Sequence, residues 1–140
     1  DTRMRGVMSS SRAAILDEAL GRKRPRTILD IRGGVGFAAL RAAAQVQHWG
    51  GQVLLVESNP FFVAAARSIL ELAGATHVVR CFIGQLDECL PLAAQTRQTV
   101  DLVLLHGGAD SQYVADLEQA EELGLLSNDC MVWAEHILRP

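Results

Sequence analysis

The chain has 140 residues, of which 49% are hydrophobic and 21% are charged, and its formal net charge is −3. This composition fits one globular domain, and no apolar run approaches the roughly 18 residues that a membrane-spanning helix needs. No secretory signal pattern opens the sequence and none of the three cysteines forms a C-x-x-C pair, so we expect reduced thiols in a cytoplasmic, reducing compartment.

The charge is unevenly distributed along the chain. Residues 1–26 hold seven of the 13 basic side chains but only three of the 16 acidic ones. The stretch GRKRPR at 21–26 could contact phosphate, but basic residues are also favoured at the C-terminal ends of helices. No aromatic residues are interleaved with it, so nucleic-acid binding is disfavoured.

Five apolar runs of strand length alternate with helical patterns. The runs are TILDI (27–31), QVLLVE (52–57), HVVRCFI (77–83), VDLVLL (100–105) and CMVWAE (130–135). They are rich in Val, Ile and Leu and mostly lack polar alternation, which is typical of parallel strands covered by helices on both faces.

Helices are predicted between these strands. The segments are 10–20, 35–48, 60–73, 86–95 and 110–123. The clearest helix has Asn59 as N-cap, Pro60 at its first position and Gly74 just after its end. With right-handed crossovers, this order predicts an α/β fold, a Rossmann-like doubly wound parallel sheet, in one domain spanning 1–140. Ligands of such sheets bind beyond the carboxyl ends of the strands.

The stretch TILDIRGGVGFAAL (27–40) predicts a buried strand, a glycine turn and a helix. Gly33, Gly34 and Gly36 would let the backbone approach a ligand closely. Asp30 ends this strand, and Glu57 ends the next one, where a carboxylate can accept both hydroxyls of a ribose. Taken alone, the pattern also fits a dinucleotide fingerprint, or a turn needed only for close strand–helix packing.

Four stretches resemble, in order and spacing, the class I S-adenosylmethionine-dependent O-methyltransferases, and most closely the catechol O-methyltransferase type. They are ILDIRGGVGFAALRAA, VLLVESNPFFVAAARSILELAG, IGQLDECLPL and EELGLLSNDCMVWAEHILRP. The E-x-N-P element at 57–60, followed by a helix, is among the more specific signals. The resemblance implies a class I methyltransferase fold without its last two strands, and thus a piece of a longer chain.

The resemblance also implies roles in an S-adenosylmethionine site. Asp30 would contact the methionine end of the cofactor, and Glu57 would hold the ribose hydroxyls above the three glycines. Met8 would belong to a segment that closes over the site. The residues that would border the adenine are Gly84, Gln85 and Leu86.

Two departures from the family pattern affect the chemistry. Arg32 replaces the first family glycine, and we expect a side chain there to require a negative φ and to point to solvent or into the carboxylate pocket. The family's catalytic lysine has no counterpart in HGGAD (106–110), and the single lysine, Lys23, lies elsewhere. His106 or His136 could remove the acceptor's proton instead.

A third departure concerns a metal ion. In the catechol-type enzymes Mg²⁺ holds the two substrate hydroxyls, and the matching positions here are His106, Glu135 and His136. Imidazoles suit Zn²⁺, Fe²⁺ or Ni²⁺ better than Mg²⁺. Two hypotheses stay open: a divalent metal site of altered identity, or a lost site whose histidines face a polar cleft.

The predicted function is therefore S-adenosylmethionine-dependent methyl transfer to a small hydroxylated acceptor. The departures leave two alternatives, a non-catalytic methyltransferase-like scaffold or interaction domain and an NAD-dependent oxidoreductase fragment. The run CMVWAEHIL would form an exposed apolar edge, so we expect further chain or a protein partner to cover the edge after residue 135.

Overall fold

The computed structural model describes residues 10–106 and 110–134, and helices and strands alternate along them as the sequence predicts. The elements are α1 (Ser10–Lys23), β1 (Thr27–Ile31), α2 (Phe37–Val46), a 3-10 turn (Gln47–Trp49), β2 (Gln52–Glu57), α3 (Pro60–Leu72), β3 (Val79–Ile83), α4 (Leu86–Ala94), β4 (Val100–Leu105), α5 (Asp110–Glu122) and β5 (Leu126–Ala134). The side chain of Asn59 caps α3 by accepting the backbone N–H of Phe61 at 2.9 Å, which confirms the predicted start of that helix.

The five strands form one parallel sheet in the order β3-β2-β1-β4-β5. The chain runs outward from β1 to β3, returns to the other side of β1 and continues from β4 to β5. The strand order therefore reverses between β1 and β4, whose carboxyl ends flank a crevice. This confirms the predicted doubly wound α/β fold and places the candidate ligand site at that crevice.

Two apolar cores cover the two faces of the sheet. Residues of α1 and α2 pack with Ile28 of β1 on one face, and residues of α4 and α5 pack with Leu29 on the other. All five residues of β1 are buried. Because side chains alternate along a strand, Asp30 lies on the same face as Ile28. An acidic side chain thus sits in the α1–α2 core at the end of the central strand.

The last strand begins earlier than predicted. Its pairing with β4 starts at Leu126 opposite Val100 and then shifts, so that Leu102 faces Met131. The expected start at residue 130 was wrong because Ser127, Asn128 and Asp129 have low strand propensity, whereas the irregular pairing accommodates them. On the outer edge of β5, the structure describes no partner strand, and the side chains of Met131 and Val132 are exposed.

The basic stretch at 21–26 is used within the fold. The ammonium of Lys23 donates to the backbone carbonyl of Asp129 at 2.6 Å and lies 3.1 Å from its carboxylate. The guanidinium of Arg24 lies over the ring of Trp49, 5.1 Å from its centre. These contacts tie the end of α1 to β5 and to the 3-10 turn, and they agree with the helix-end interpretation of the stretch.

The three cysteines are free thiols. Burial raises the pKa of the Cys130 thiol to about 11, so this group is a weak nucleophile at neutral pH. Among the described residues, no helix is both long and apolar enough to cross a bilayer. The reducing compartment stays a prediction.

Candidate functional site

The turn between β1 and α2 packs closely against the sheet. Gly34 and Gly36 have φ values of 62° and 90°, in the left-handed region that favours glycine. A Cβ atom on Gly33 would lie 2.7 Å from Cγ of Leu55 and 2.8 Å from Oδ2 of Asp30. Glycine is therefore favoured at position 33 by close contact and at positions 34 and 36 by backbone conformation.

Arg32 is the first residue of this turn, and its φ is 57°. The expectation that a side chain here needs a negative φ was wrong. The left-handed conformation costs an L-residue about 1–2 kcal/mol, so other contacts must offset it. At Arg32 the backbone of the turn therefore has a conformation that a glycine would adopt without strain.

The side chain of Arg32 takes neither of its two predicted directions. Its guanidinium crosses to α5 and pairs with both carboxylate oxygens of Asp116, at 2.5 Å and 3.3 Å. The Asp116 side chain is only 4% exposed, and Gln112 also donates to it at 3.3 Å. The Arg32 side chain therefore lies on the α4–α5 face, opposite the face that holds Asp30.

Asp30 is the most deeply buried acid of the site. Its side chain has no exposed surface, and neither carboxylate oxygen accepts a hydrogen bond of ordinary geometry within the described ranges. Nε2 of His106, at the end of β4, lies 2.6 Å from Oδ1. A fully buried carboxylate that has only one imidazole nitrogen beside it in the described ranges is costly, which makes this group a candidate for holding a cation.

Glu57 joins the turn after β1 to the turn after β2. Its Oε1 accepts the N–H of Gly34 at 2.9 Å, and its Oε2 accepts the N–H of Asn59 at 2.9 Å. The residue is 8% exposed. Each carboxylate oxygen can accept more than one hydrogen bond, so the side chain keeps capacity for a diol while it organises both turns.

The end of β3 lies beside this acid. The N–H of Gly84, whose φ is 144°, donates to the backbone carbonyl of Glu57 at 3.0 Å. Gln85 then caps α4, and Leu86 opens that helix and packs on the α4–α5 core. The three residues predicted to border an adenine therefore follow directly on the strand next to Glu57.

The structure thus gathers most of the predicted site at the carboxyl edge of the sheet. The residues at this edge are Asp30, Gly33, Gly34, Gly36, Glu57, Gly84, Gln85, Leu86 and His106. Met8, Glu135 and His136 lie outside the described residues. In the described part of the chain, no group of three or more His, Cys, Asp or Glu side chains is placed to hold a metal ion.

Sequence reasoning missed Asp116. The segment 110–123 was predicted as a helix, and none of its acids was predicted to be buried. Asp116 follows Tyr113 by three residues and precedes Ala120 by four, and both of those are buried. A carboxylate on the apolar stripe of a helix needs a partner, and that position was the available signal.

Two surface cavities of the described chain lie away from these residues. One of about 510 Å³ lies along α2 and includes Phe37, Arg41 and Ala73, and one of about 490 Å³ lies beside β3 and includes Arg67 and His77. Neither is lined by Asp30 or Glu57. The candidate site is therefore defined by the polar side chains at the strand ends and not by either cavity.

Comparisons with known proteins agree with this geometry. No family model matches the sequence. The chain is 32% identical over 136 residues to a transmembrane O-methyltransferase of Propithecus coquereli and 27% identical over 135 residues to a catechol O-methyltransferase of Mus musculus. These alignments cover 95% of this chain but 49% and 50% of the relatives, so the chain spans about half the length of the curated relatives it matches.

Solved structures share the fold. A putative caffeoyl-CoA O-methyltransferase from Staphylococcus aureus has a TM-score of 0.82 at 17% identity, over 94% of this chain and 60% of that one. The O-methyltransferase TomG from Streptomyces achromogenes, in complex with SAM, has a TM-score of 0.80 at 21% identity, over 91% and 56%. The predicted resemblance to O-methyltransferases and the predicted fold are both confirmed.

Proposed function

We propose that this chain forms the cofactor-binding part of an S-adenosylmethionine-dependent O-methyltransferase that acts on a small hydroxylated acceptor. One observation carries the proposal: the fully buried, hydrogen-bond-poor carboxylate of Asp30 lies directly beneath a glycine turn. Relatives named as O-methyltransferases and structural neighbours with bound SAM or SAH support it.

The described residues fit S-adenosylmethionine. Asp30 would hold the ammonium of the methionine part, because a buried carboxylate gains most from a cation with N–H donors. Glu57 would accept the ribose hydroxyls with the lone pairs that its two backbone contacts leave. The cofactor would supply an electrophilic methyl group on a sulfonium. The protein's part is to orient the acceptor oxygen and to receive its proton.

NAD fits the same edge less well. A dinucleotide places its diphosphate over the glycine turn, where the buried carboxylate of Asp30 would repel it. An ammonium at that point would be attracted instead. The charge of Asp30 thus favours S-adenosylmethionine over the oxidoreductase alternative.

His106 is the proposed proton acceptor. Its contact with Asp30 fixes the imidazole at the end of β4, beside the crevice. His136 stays a second candidate and lies outside the described residues. The metal hypothesis also stays a prediction: if a divalent ion binds, His106, Glu135 and His136 would hold it, and their imidazoles favour Zn²⁺ over Mg²⁺.

Calorimetric titration of the chain with S-adenosylhomocysteine tests the proposal. This compound keeps the ammonium and the ribose that Asp30 and Glu57 would hold, so we expect saturable binding, and no binding of NAD under the same conditions. Binding of NAD alone would support the oxidoreductase alternative. Binding of neither ligand would contradict the proposal and favour the scaffold alternative.

Glu57→Gln is expected to weaken S-adenosylhomocysteine binding at least tenfold. A lost charge-assisted contact to the ribose corresponds to about 1.5–3 kcal/mol. The free energy of unfolding should also fall, by about 1 kcal/mol, because the amide cannot accept both backbone N–H groups. The stability loss is expected because Glu57 accepts the N–H groups of Gly34 and Asn59, one with each carboxylate oxygen.

Asp101→Asn is the matched control for this variant. Its carboxylate accepts the backbone N–H groups of Arg26 at 3.0 Å and Thr27 at 3.3 Å, at the opposite end of β1. Both N–H groups donate to the same oxygen, so this variant removes a carboxylate charge while an amide oxygen can keep both contacts, and it should bind the ligand like the wild type. Equal affinities in all three proteins would remove the ribose assignment.

A further inference from the structure

Two contacts from the end of β1 reach the β4–α5 unit on opposite faces of the sheet. Asp30 touches His106, which follows β4, on the α1–α2 face. Arg32 pairs with Asp116 of α5, which packs in the other core. The crevice at the reversal of strand order is therefore bridged on both sides, and the second bridge is formed by a residue that stands where related proteins have glycine.

We infer that Arg32 and Asp116 are positioning residues that hold the glycine turn in its ligand-binding conformation, an inference that rests on the proposed cofactor site. The turn is tied at two points. Glu57 holds the N–H of Gly34 from the β2 side, and Asp116 holds the side chain of Arg32 from the α5 side. Between these two points, Gly33 lies so close to Leu55 and Asp30 that an added Cβ atom would clash with both side chains.

The geometry of the ion pair suits positioning. A guanidinium that pairs both carboxylate oxygens is fixed in orientation as well as in distance. Burying such a pair often stabilises a fold no more than apolar side chains of similar volume would. The backbone strain at Arg32 adds a further cost that a glycine would not carry. What the pair provides beyond stability is a fixed direction for the first residue of the turn.

The chain offers a matched ion pair far from the turn's contacts. Arg41 of α2 makes the same two-bond contact with Asp17 of α1, at 3.1 Å and 2.7 Å. It also joins two elements, but it bridges α1 and α2 and does not reach the turn. Asp17→Asn therefore reports what the loss of a two-bond ion pair does to the fold alone.

The experiment compares Asp116→Asn with Asp17→Asn in two measurements. The first is the dissociation constant for S-adenosylhomocysteine, and the second is amide hydrogen exchange of residues 33–36. For Asp116→Asn we expect about tenfold weaker binding, within the range of couplings between neighbouring residues, and faster exchange in the turn. Asp17→Asn should change neither.

Arg32→Lys extends the test with a milder change, since it keeps the charge but loses the two-bond geometry. It should show a smaller shift in the same direction, and it carries the comparison if Asp116→Asn does not fold. Wild-type affinity and wild-type exchange in the Asp116 or Arg32 variant would overturn the inference. If the wild type itself binds no S-adenosylhomocysteine, the proposed function fails, and exchange at 33–36 alone decides the positioning role.

Discussion

Asp30→Asn is expected to lower affinity for S-adenosylhomocysteine at least a hundredfold without lowering the free energy of unfolding. The carboxylate is fully buried and accepts no ordinary hydrogen bond in the described ranges. Removing the charge relieves the cost of burying it, and the asparagine oxygen could still accept from Nε2 of His106, which lies 2.6 Å from Oδ1. A bound ammonium would lose its charge partner in the variant, and breaking a buried pair costs about 3–5 kcal/mol.

Two measurements on the same variant check this expectation. Calorimetry gives the dissociation constant, and urea denaturation gives the free energy of unfolding. The substitution keeps the shape of the side chain, so a general loss of structure is not expected. Wild-type affinity would show that Asp30 does not hold the ligand. A parallel loss of affinity and stability would show that the acid serves the fold instead.

Arg32→Gly is expected to destabilise the protein by about 1–4 kcal/mol, although it introduces the glycine of the family that the sequence resembles. Removing the left-handed strain of Arg32 gains about 1–2 kcal/mol. The same change leaves the buried carboxylate of Asp116 without its charge partner, which costs about 3–5 kcal/mol. The loss is expected to exceed the gain. The glycine should not tighten ligand binding, because Arg32 lies on the other face from Asp30.

The double variant Arg32→Gly with Asp116→Leu separates the two effects. It removes the strained arginine and the buried charge together, so its free energy of unfolding should return to about the wild-type value. Urea denaturation of the two single variants and the double variant completes the cycle. An Arg32→Gly protein more stable than the wild type would show that backbone strain outweighs the ion pair.

The element order could be predicted because the central strands are buried on both faces. The apolar runs of β1, β2 and β4 favour buried strands over other structures. Asn59 as N-cap and Pro60 at the first helical position indicate the start of α3. The placement of the acids at 30 and 57 at the carboxyl edge of the sheet could also be predicted. Each ends a strand next to a turn, and in a parallel sheet all such ends meet at one edge.

Two features could not be predicted, the conformation of Arg32 and the start of β5, because both depend on contacts with residues distant in sequence. Nothing near Arg32 indicates that a carboxylate 84 residues later would hold it in a left-handed conformation. The start of β5 depends on an irregular pairing with β4. The polar residues at that start favour a loop when only the local sequence is considered. In both places a tertiary contact outweighed local preference, which is why composition and spacing did not reveal them.

The register shift between β4 and β5 also bears on how the protein behaves at high concentration. Flat, uninterrupted apolar edges act as templates for cross-β stacking, and segments of six or seven residues are enough. Here the shift falls where Ser127, Asn128 and Asp129 interrupt the strand, and regular pairing with β4 resumes only at Met131–Ala134. The regular part of the described strand is thus shorter than such a segment. Within residues 126–134, the irregularity therefore leaves too short a regular run for such stacking.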